Sequence, residues 1–285
     1  MLDEAAKILT DLGFVPYVHP QNHLRHHHFA GSVEQRVEAV HSLFLDDSVH
    51  GVMAVQGGYG TDHLLDAIDY DLIRRHPKCF VGYSDVSSLL HALWARAGVV
   101  SFHGPMLRSF VDSRDSFSLT HLAAVITGMD PSRTAVAVEA PEVRVLRPGA
   151  SRGVAVAGNL TTFTRLIGTP YEVDTAGAIL FVEDVDEQLY TLDRMFSHLR
   201  QAGKLLDLKG LMIADFTEMQ TTKVAIGRSI DEIVLEACAG TSFPIVAGFP
   251  CGHGRRQATL PLGIRVRLAA TDGSAALTFD ELPVQ

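Results

Sequence analysis

Cysteine is scarce: Cys79, Cys238 and Cys251 are the only three, and no two of them share a C-x-x-C spacing. That speaks against a disulfide framework and against a cysteine-rich zinc site, and a reducing cytosol is the compartment that fits. Positive charge is short as well, with 24 Lys and Arg against 33 Asp and Glu and a formal net charge of −9. Such a balance disfavours a surface that tracks phosphates, so nucleic acid is not an expected partner. No run approaches the roughly 18 apolar residues that span a bilayer. The opening Met1-Leu2-Asp3-Glu4 also lacks the basic segment and apolar core of a signal peptide, so no membrane partner is expected. Internal repeats and low-complexity segments are missing too; His23, His26, His27 and His28 are the one compositional oddity. What remains is an ordinary globular composition, 47% hydrophobic and 20% charged over 285 residues, long enough for two domains at roughly 150 residues each.

Leu2, Ala5, Leu9 and Leu12 recur at helical spacing up to Gly13, and residues 14–18 follow as a β-branched and aromatic run, predicting helix then strand. Ser32 with Gln35 forms a capping box ahead of Val33, Val37, Val40 and Phe44, and residues 51–55 then read as a buried strand. The alternation continues with strand at 79–81, helix at 86–97, strand at 99–102 and helix at 116–127. Short apolar strands alternating with helices predict βαβ units and a parallel sheet. Between residues 128 and 153 the pattern shifts to short runs at 134–138 and 143–146, separated by Pro131, Pro141 and Pro148, which predicts a domain boundary. We place it between residues 140 and 141. The second half mixes strands (154–156, 179–182, 211–213, 264–268) with helices (160–167, 187–202, 230–239), leaving α+β and α/β both open.

The segment Gly82-Tyr83-Ser84-Asp85-Val86 puts a serine in a tight turn between a buried strand and a helix, the setting of a nucleophile elbow, although Val86 replaces the second glycine of G-x-S-x-G. Ser84 or Asp85 serving simply as a helix cap is the competing reading. Gln56-Gly57-Gly58-Tyr59-Gly60 can bring backbone N–H groups close to a phosphate or an oxyanion. It fails as a dinucleotide fingerprint because His63 stands at the third glycine position, and as a P-loop because no G-K-[ST] follows. A hydroxyl nucleophile needs a base and a carboxylate to orient it. His253 lies in the glycine-rich loop 248–254, and Glu183 and Asp184 end the strand 179–182. Adjacent residues of a strand point to opposite faces, so only one of the two acids enters a given site. His26 to His28 lack the i, i+4 spacing of a zinc pair and read as solvated loop. Trp94 reads as packing, and Arg255-Arg256 as a carboxylate binder or a solvated pair.

Taken together these segments resemble the LD-carboxypeptidase family of serine peptidases, which also holds the microcin C self-immunity peptidases. The N-terminal block runs Gly57-Gly58-Tyr59-Gly60, Leu64-Leu65, Asp69-Tyr70, Pro77-Lys78, Gly82-Tyr83-Ser84-Asp85 and His103-Gly104-Pro105. Farther on come Gly158-Asn159-Leu160, Leu166-Ile167-Gly168-Thr169-Pro170, residues 180–184, Glu187, Tyr190, Asp193-Arg194-Met195, Ala202-Gly203, Gly252-His253 and Leu260-Pro261-Leu262-Gly263. The likeness spans nearly the whole chain.

The resemblance implies an α/β protein: a glutamine-amidotransferase-like parallel-sheet domain over residues 1–140 and a smaller α/β C-terminal domain over residues 141–285. It implies a Ser84-Glu183-His253 triad, choosing Glu183 over Asp184 where the local physics does not. The implied oxyanion hole is the backbone N–H of Asp85 with that of Gly57 or Gly58. No cofactor and no metal are expected. The implied substrate is a small peptide, a murein tetrapeptide losing its terminal D-alanine in cytoplasmic cell-wall recycling. Two alternatives are a microcin-like aminoacyl-nucleotide hydrolase, for which Trp94 is wrongly placed to stack on a base, and a catalytically silent peptide-binding relative. The sequence departs from the family pattern at Gln56 (usually arginine), at Ala157 and Ala214 (usually glycine), and in beginning at the first helix. The last departure implies a first domain that lacks its first strand. It leads to the expectation of an upstream start adding about ten to twenty residues, and, without them, of lower stability or of homodimer formation through an exposed sheet edge.

Overall fold

Ser32 Oγ accepts from the Gln35 N–H and Gln35 Oε1 accepts from the Ser32 N–H, starting the helix Val33–Leu45, which buries Val37, Ala39 and Phe44. Reciprocal caps of this kind satisfy two of the amides that a helix start leaves without partners. The computed structural model describes residues 1–111, 115–128, 135–139, 142–220 and 226–283. Among them are the strands β1 (Gly51–Met53), β2 (Cys79–Gly82), β3 (Ser101–His103), β4 (Val136–Glu139), β5 (Arg144–Arg147), β6 (Gly149–Asn159), β7 (Ala178–Val185), β8 (Gly210–Thr217), β9 (Ile245–Ala247), β10 (Leu260–Leu262), β11 (Arg265–Thr271) and β12 (Ser274–Phe279).

Two sheets form. The first has the order β1-β2-β3-β10, with β1, β2 and β3 parallel and β10 antiparallel against β3. Pro261 sits in β10, where an edge strand tolerates the missing N–H. The second has the order β4-β12-β11-β6-β7-β8-β9-β5. Its centre, β6 to β9, is parallel and its flanks are antiparallel. Helices Leu160–Leu166, Leu189–Gln201 and Ile230–Ala237 separate the parallel strands, so the second half is built on βαβ units as well.

The helix Ser87–Ala92 is buried along its whole length, and the core around it joins both sheets: Leu90 and Leu93 share a cluster with Phe181, Met212 and Val266. Full burial of each such leucine stabilises the fold by about 2 kcal/mol. His91 Nε2 lies 3.0 Å from the Ala157 carbonyl, and Ser87 Oγ accepts from the Asn159 N–H. Burial pushes the His91 imidazole down to about 4, so it donates there as a neutral ring. These bonds fix the helix that follows β2 against the carboxyl end of β6, the kind of strand end at which ligands gather in α/β sheets.

Three local expectations are corrected. Residues 14–18 form no strand: Val15 is 97% exposed and Tyr17 64%, because β propensity yields a strand only where a partner lies alongside. The segment expected as one helix at 86–97 is a 3-10 turn Ser84–Val86, the α-helix Ser87–Ala92 and a π turn Leu93–Ala97. The next strand starts at Ser101 rather than at residue 99. Pro131, Thr134 and Pro141, used to locate the domain boundary, lie outside the described residues.

Candidate active site

The turn after β2 is tight. A Cβ on Gly82 would lie 2.5 Å from Val86 Cγ1, so no side chain fits where the chain reverses. Ser84 follows with φ +60°, a left-handed conformation that costs a serine of order 1–3 kcal/mol and that marks strained functional turns. The competing helix-cap reading does not match the bonds made: Ser84 supplies no cap, and the Asp85 carboxylate instead accepts from the Thr61 N–H (2.9 Å) and Thr61 Oγ (2.7 Å). Asp85 thereby ties the glycine loop 57–60 to the elbow. Gly57 packs directly on the serine, since a Cβ there would stand 3.0 Å from Ser84 Cβ and 3.2 Å from its Oγ.

His253 reaches the same point from the second half of the chain. Its Nε2 lies 3.1 Å from Ser84 Oγ and its Nδ1 lies 2.6 Å from Glu183 Oε2. With the proton on Nδ1 facing the carboxylate, the Nε2 lone pair faces the serine hydroxyl, which donates to it. The Tyr83 ring sits edge-on to the imidazole at 4.9 Å. Loop 251–254 is pinned where Asp215 Oδ2 accepts from the Gly254 N–H. Gly252 is required twice over: its φ is +109°, and a Cβ would stand 2.7 Å from Glu183 Cβ and Cγ. Asp184 turns away. Its carboxylate accepts from Asn159 Nδ2 and from the Thr161 N–H and Oγ–H, holding the start of the helix Leu160–Leu166.

A cavity of about 720 Å³ opens above Ser84, lined among others by Gln56, Gly57, Gly58, Arg108, Glu218 and Arg255. The arginine doublet is divided: Arg255 faces this cavity, while Arg256 lies over the Phe117 ring at 4.3 Å and bonds Glu142. Arg108 and Glu218 were not singled out by sequence, since neither lies in a motif. Trp94 packs under the turn at Gly263, where a Cβ would meet its ring at 2.3 Å. The His26 and His27 rings contact each other, and the His28 ring contacts Phe29 and Tyr59. Among the described residues no group of three or more His, Cys, Asp or Glu side chains is arranged to hold a metal ion, and no helix is long and apolar enough to cross a membrane.

Glu183 is 1% exposed. Burial by itself would raise its pKa, but the facing His103 and His253 outweigh that and hold it at about 2, below the ordinary 4.5. A folded value below the unfolded one means that the carboxylate adds stability fully present above about pH 4.5 and lost as the pH falls toward about 2. Urea unfolding of the native protein and of Glu183→Gln should therefore show a stability gap that is constant near neutrality and closes below pH 4.5. A gap that ignores pH down to about 3 would contradict this assignment.

The family model of the LD-carboxypeptidase N-terminal domain matches residues 1–104, and that of the C-terminal domain matches residues 152–268. The chain is 33% identical over 276 residues to the probable murein peptide carboxypeptidase of Bacillus subtilis (strain 168), covering 97% of this chain and 86% of that protein. It is 26% identical over 282 residues to the microcin C7 self-immunity protein MccF of Escherichia coli, covering 90% and 81%. The crystal structure of muramoyltetrapeptide carboxypeptidase from Oxalobacter formigenes matches with a TM-score of 0.87 at 31% identity, over 99% of this chain and 95% of that one. Both family domains appear in order, with likeness of sequence and fold along nearly the whole length, and the chain belongs to the LD-carboxypeptidase family.

Proposed function

We propose that the protein is a serine-type LD-carboxypeptidase that hydrolyses the amide between an L-configured centre and a terminal D-amino acid in murein tetrapeptides. The carrying observation is the unbroken line Ser84 Oγ, His253, Glu183 at 3.1 and 2.6 Å, with Ser84 and His253 lining an open cavity and Glu183 buried behind them. Ser84 Oγ attacks the carbonyl carbon while His253 Nε2 takes its proton, and Glu183 stabilises the imidazolium that results. The oxyanion that develops is met by the backbone N–H of Asp85 and by one from Gly57 or Gly58. His253 returns the proton to the leaving amine, and water, activated by the same imidazole, hydrolyses the acyl-enzyme.

Arg108 and Arg255 on the cavity wall, in a chain of net charge −9, suit the free carboxylates of such a peptide. An aminoacyl nucleotide would need a platform for its base. Tyr83 is the only Phe, Tyr or Trp among the described lining residues, and it is committed against His253. Cell-wall recycling in the cytoplasm is the setting this reading implies.

The test is to incubate the protein with a tetrapeptide ending in D-alanine and with its all-L isomer, following products by mass spectrometry. Release of D-alanine alone is expected, with discrimination of at least about a hundredfold, because the terminal methyl and carboxylate exchange places in the site. Equal cleavage of both isomers would indicate a broader amidase, and cleavage of neither a silent binding relative.

A further inference from the structure

Glu183 has a second histidine on its other oxygen. His103 closes β3 with no exposed surface, and its Nε2 faces Glu183 Oε1 at 3.7 Å. Neither of these two buried atoms has a hydrogen-bond partner in the structure, so each is the nearest unsatisfied polar group offered to the other at 3.7 Å. On the far side of the ring, Nδ1 lies 3.3 Å from Cys251 Sγ, two residues before His253 in the same loop. A thiol donating to Nδ1 leaves that nitrogen as acceptor and puts the ring proton on Nε2, toward the carboxylate.

We propose that His103 is a positioning residue: as the neutral Nε2–H tautomer, set by Cys251, it holds Glu183 Oε1 so that Oε2 stays aligned on His253. This inference rests on the triad reading above. A carboxylate buried with one oxygen engaged is free to swing, and its other oxygen is left without compensation for lost water. His103 supplies that second donor without adding a charge that would draw Glu183 from His253. The groups facing it are Glu183, Cys251 and the Tyr83 ring, at 6.0 Å, with His91 close enough to interact electrostatically and held neutral by burial.

Two measurements test the proposal. In the native protein, ¹⁵N-histidine NMR near neutral pH should find His103 neutral with its proton on Nε2; the Nδ1–H tautomer or a doubly protonated ring would overturn the proposal. In the second, His103→Leu should lower kcat by about ten- to a hundredfold with KM little changed. It should also shift the acid limb of kcat/KM to higher pH, because the full carboxylate charge then falls on His253. His103→Gln, which keeps an N–H donor, should recover most of kcat. A folded His103→Leu protein with native kcat and an unmoved acid limb would overturn the proposal; should that variant not fold, the NMR result decides alone. Failure of the triad reading is distinguishable, since it would show as turnover surviving in Ser84→Ala.

Discussion

Replacing Ser84 with alanine is expected to lower kcat by about ten-thousandfold or more while leaving the fold intact. The hydroxyl stands on a half-buried elbow and bonds His253, so its removal takes away the attacking atom and little packing. Alanine bears the same positive φ at no greater cost than serine, so far-ultraviolet circular dichroism and thermal midpoint should stay close to native. Residual activity comparable to native in a rigorously purified Ser84→Ala protein would remove the nucleophile from the account.

The second large effect concerns combination. His253→Ala alone should cost nearly as much as Ser84→Ala, and Glu183→Gln somewhat less. The double variants should be scarcely slower than Ser84→Ala by itself, since a base has nothing to activate once the nucleophile is gone. Kinetics of the two single and one double variant of Ser84 and His253 form the cycle that measures this. Losses that multiply, about ten-thousandfold each, would mean that the two residues act in separate steps or separate sites.

Much of this arrangement was legible in the sequence because it is written in short-range chemistry. A glycine at a strand end, a serine in the turn and a helix behind it suit an elbow and a plain helix cap alike, so that segment located the turn and the resemblance chose the role, while the loop around His253 advertises itself by glycines that a packed element would not carry. The choice between Glu183 and Asp184 was not legible from local physics: both are buried strand-end carboxylates, and what separates them are long-range partners, Asn159 and Thr161 on Asp184 and His253 on Glu183. The resemblance supplied what periodicity did not. Long-range pairing was hidden altogether, so residues 14–18 carried strand propensity without a partner, and β10 crossed back from the second half to complete the first sheet. His103 was visible as part of a motif but not as a neighbour of Glu183, because the 79 residues between them say nothing of proximity until β3 and β7 are set in space.

The central claim is that Ser84 forms a covalent bond to the acyl part of a peptide whose last residue is D-configured. A tetrapeptide analogue ending in D-lactate through an ester tests this most directly. The better leaving group speeds acylation and leaves hydrolysis of the acyl-enzyme unchanged, so the intermediate accumulates and a burst of D-lactate precedes the steady rate. Acid quenching followed by mass spectrometry of the digested protein should find the tripeptide acyl group on the peptide containing Ser84. An acyl group mapped to any other residue, or ester turnover in Ser84→Ala at the native rate, would contradict the account.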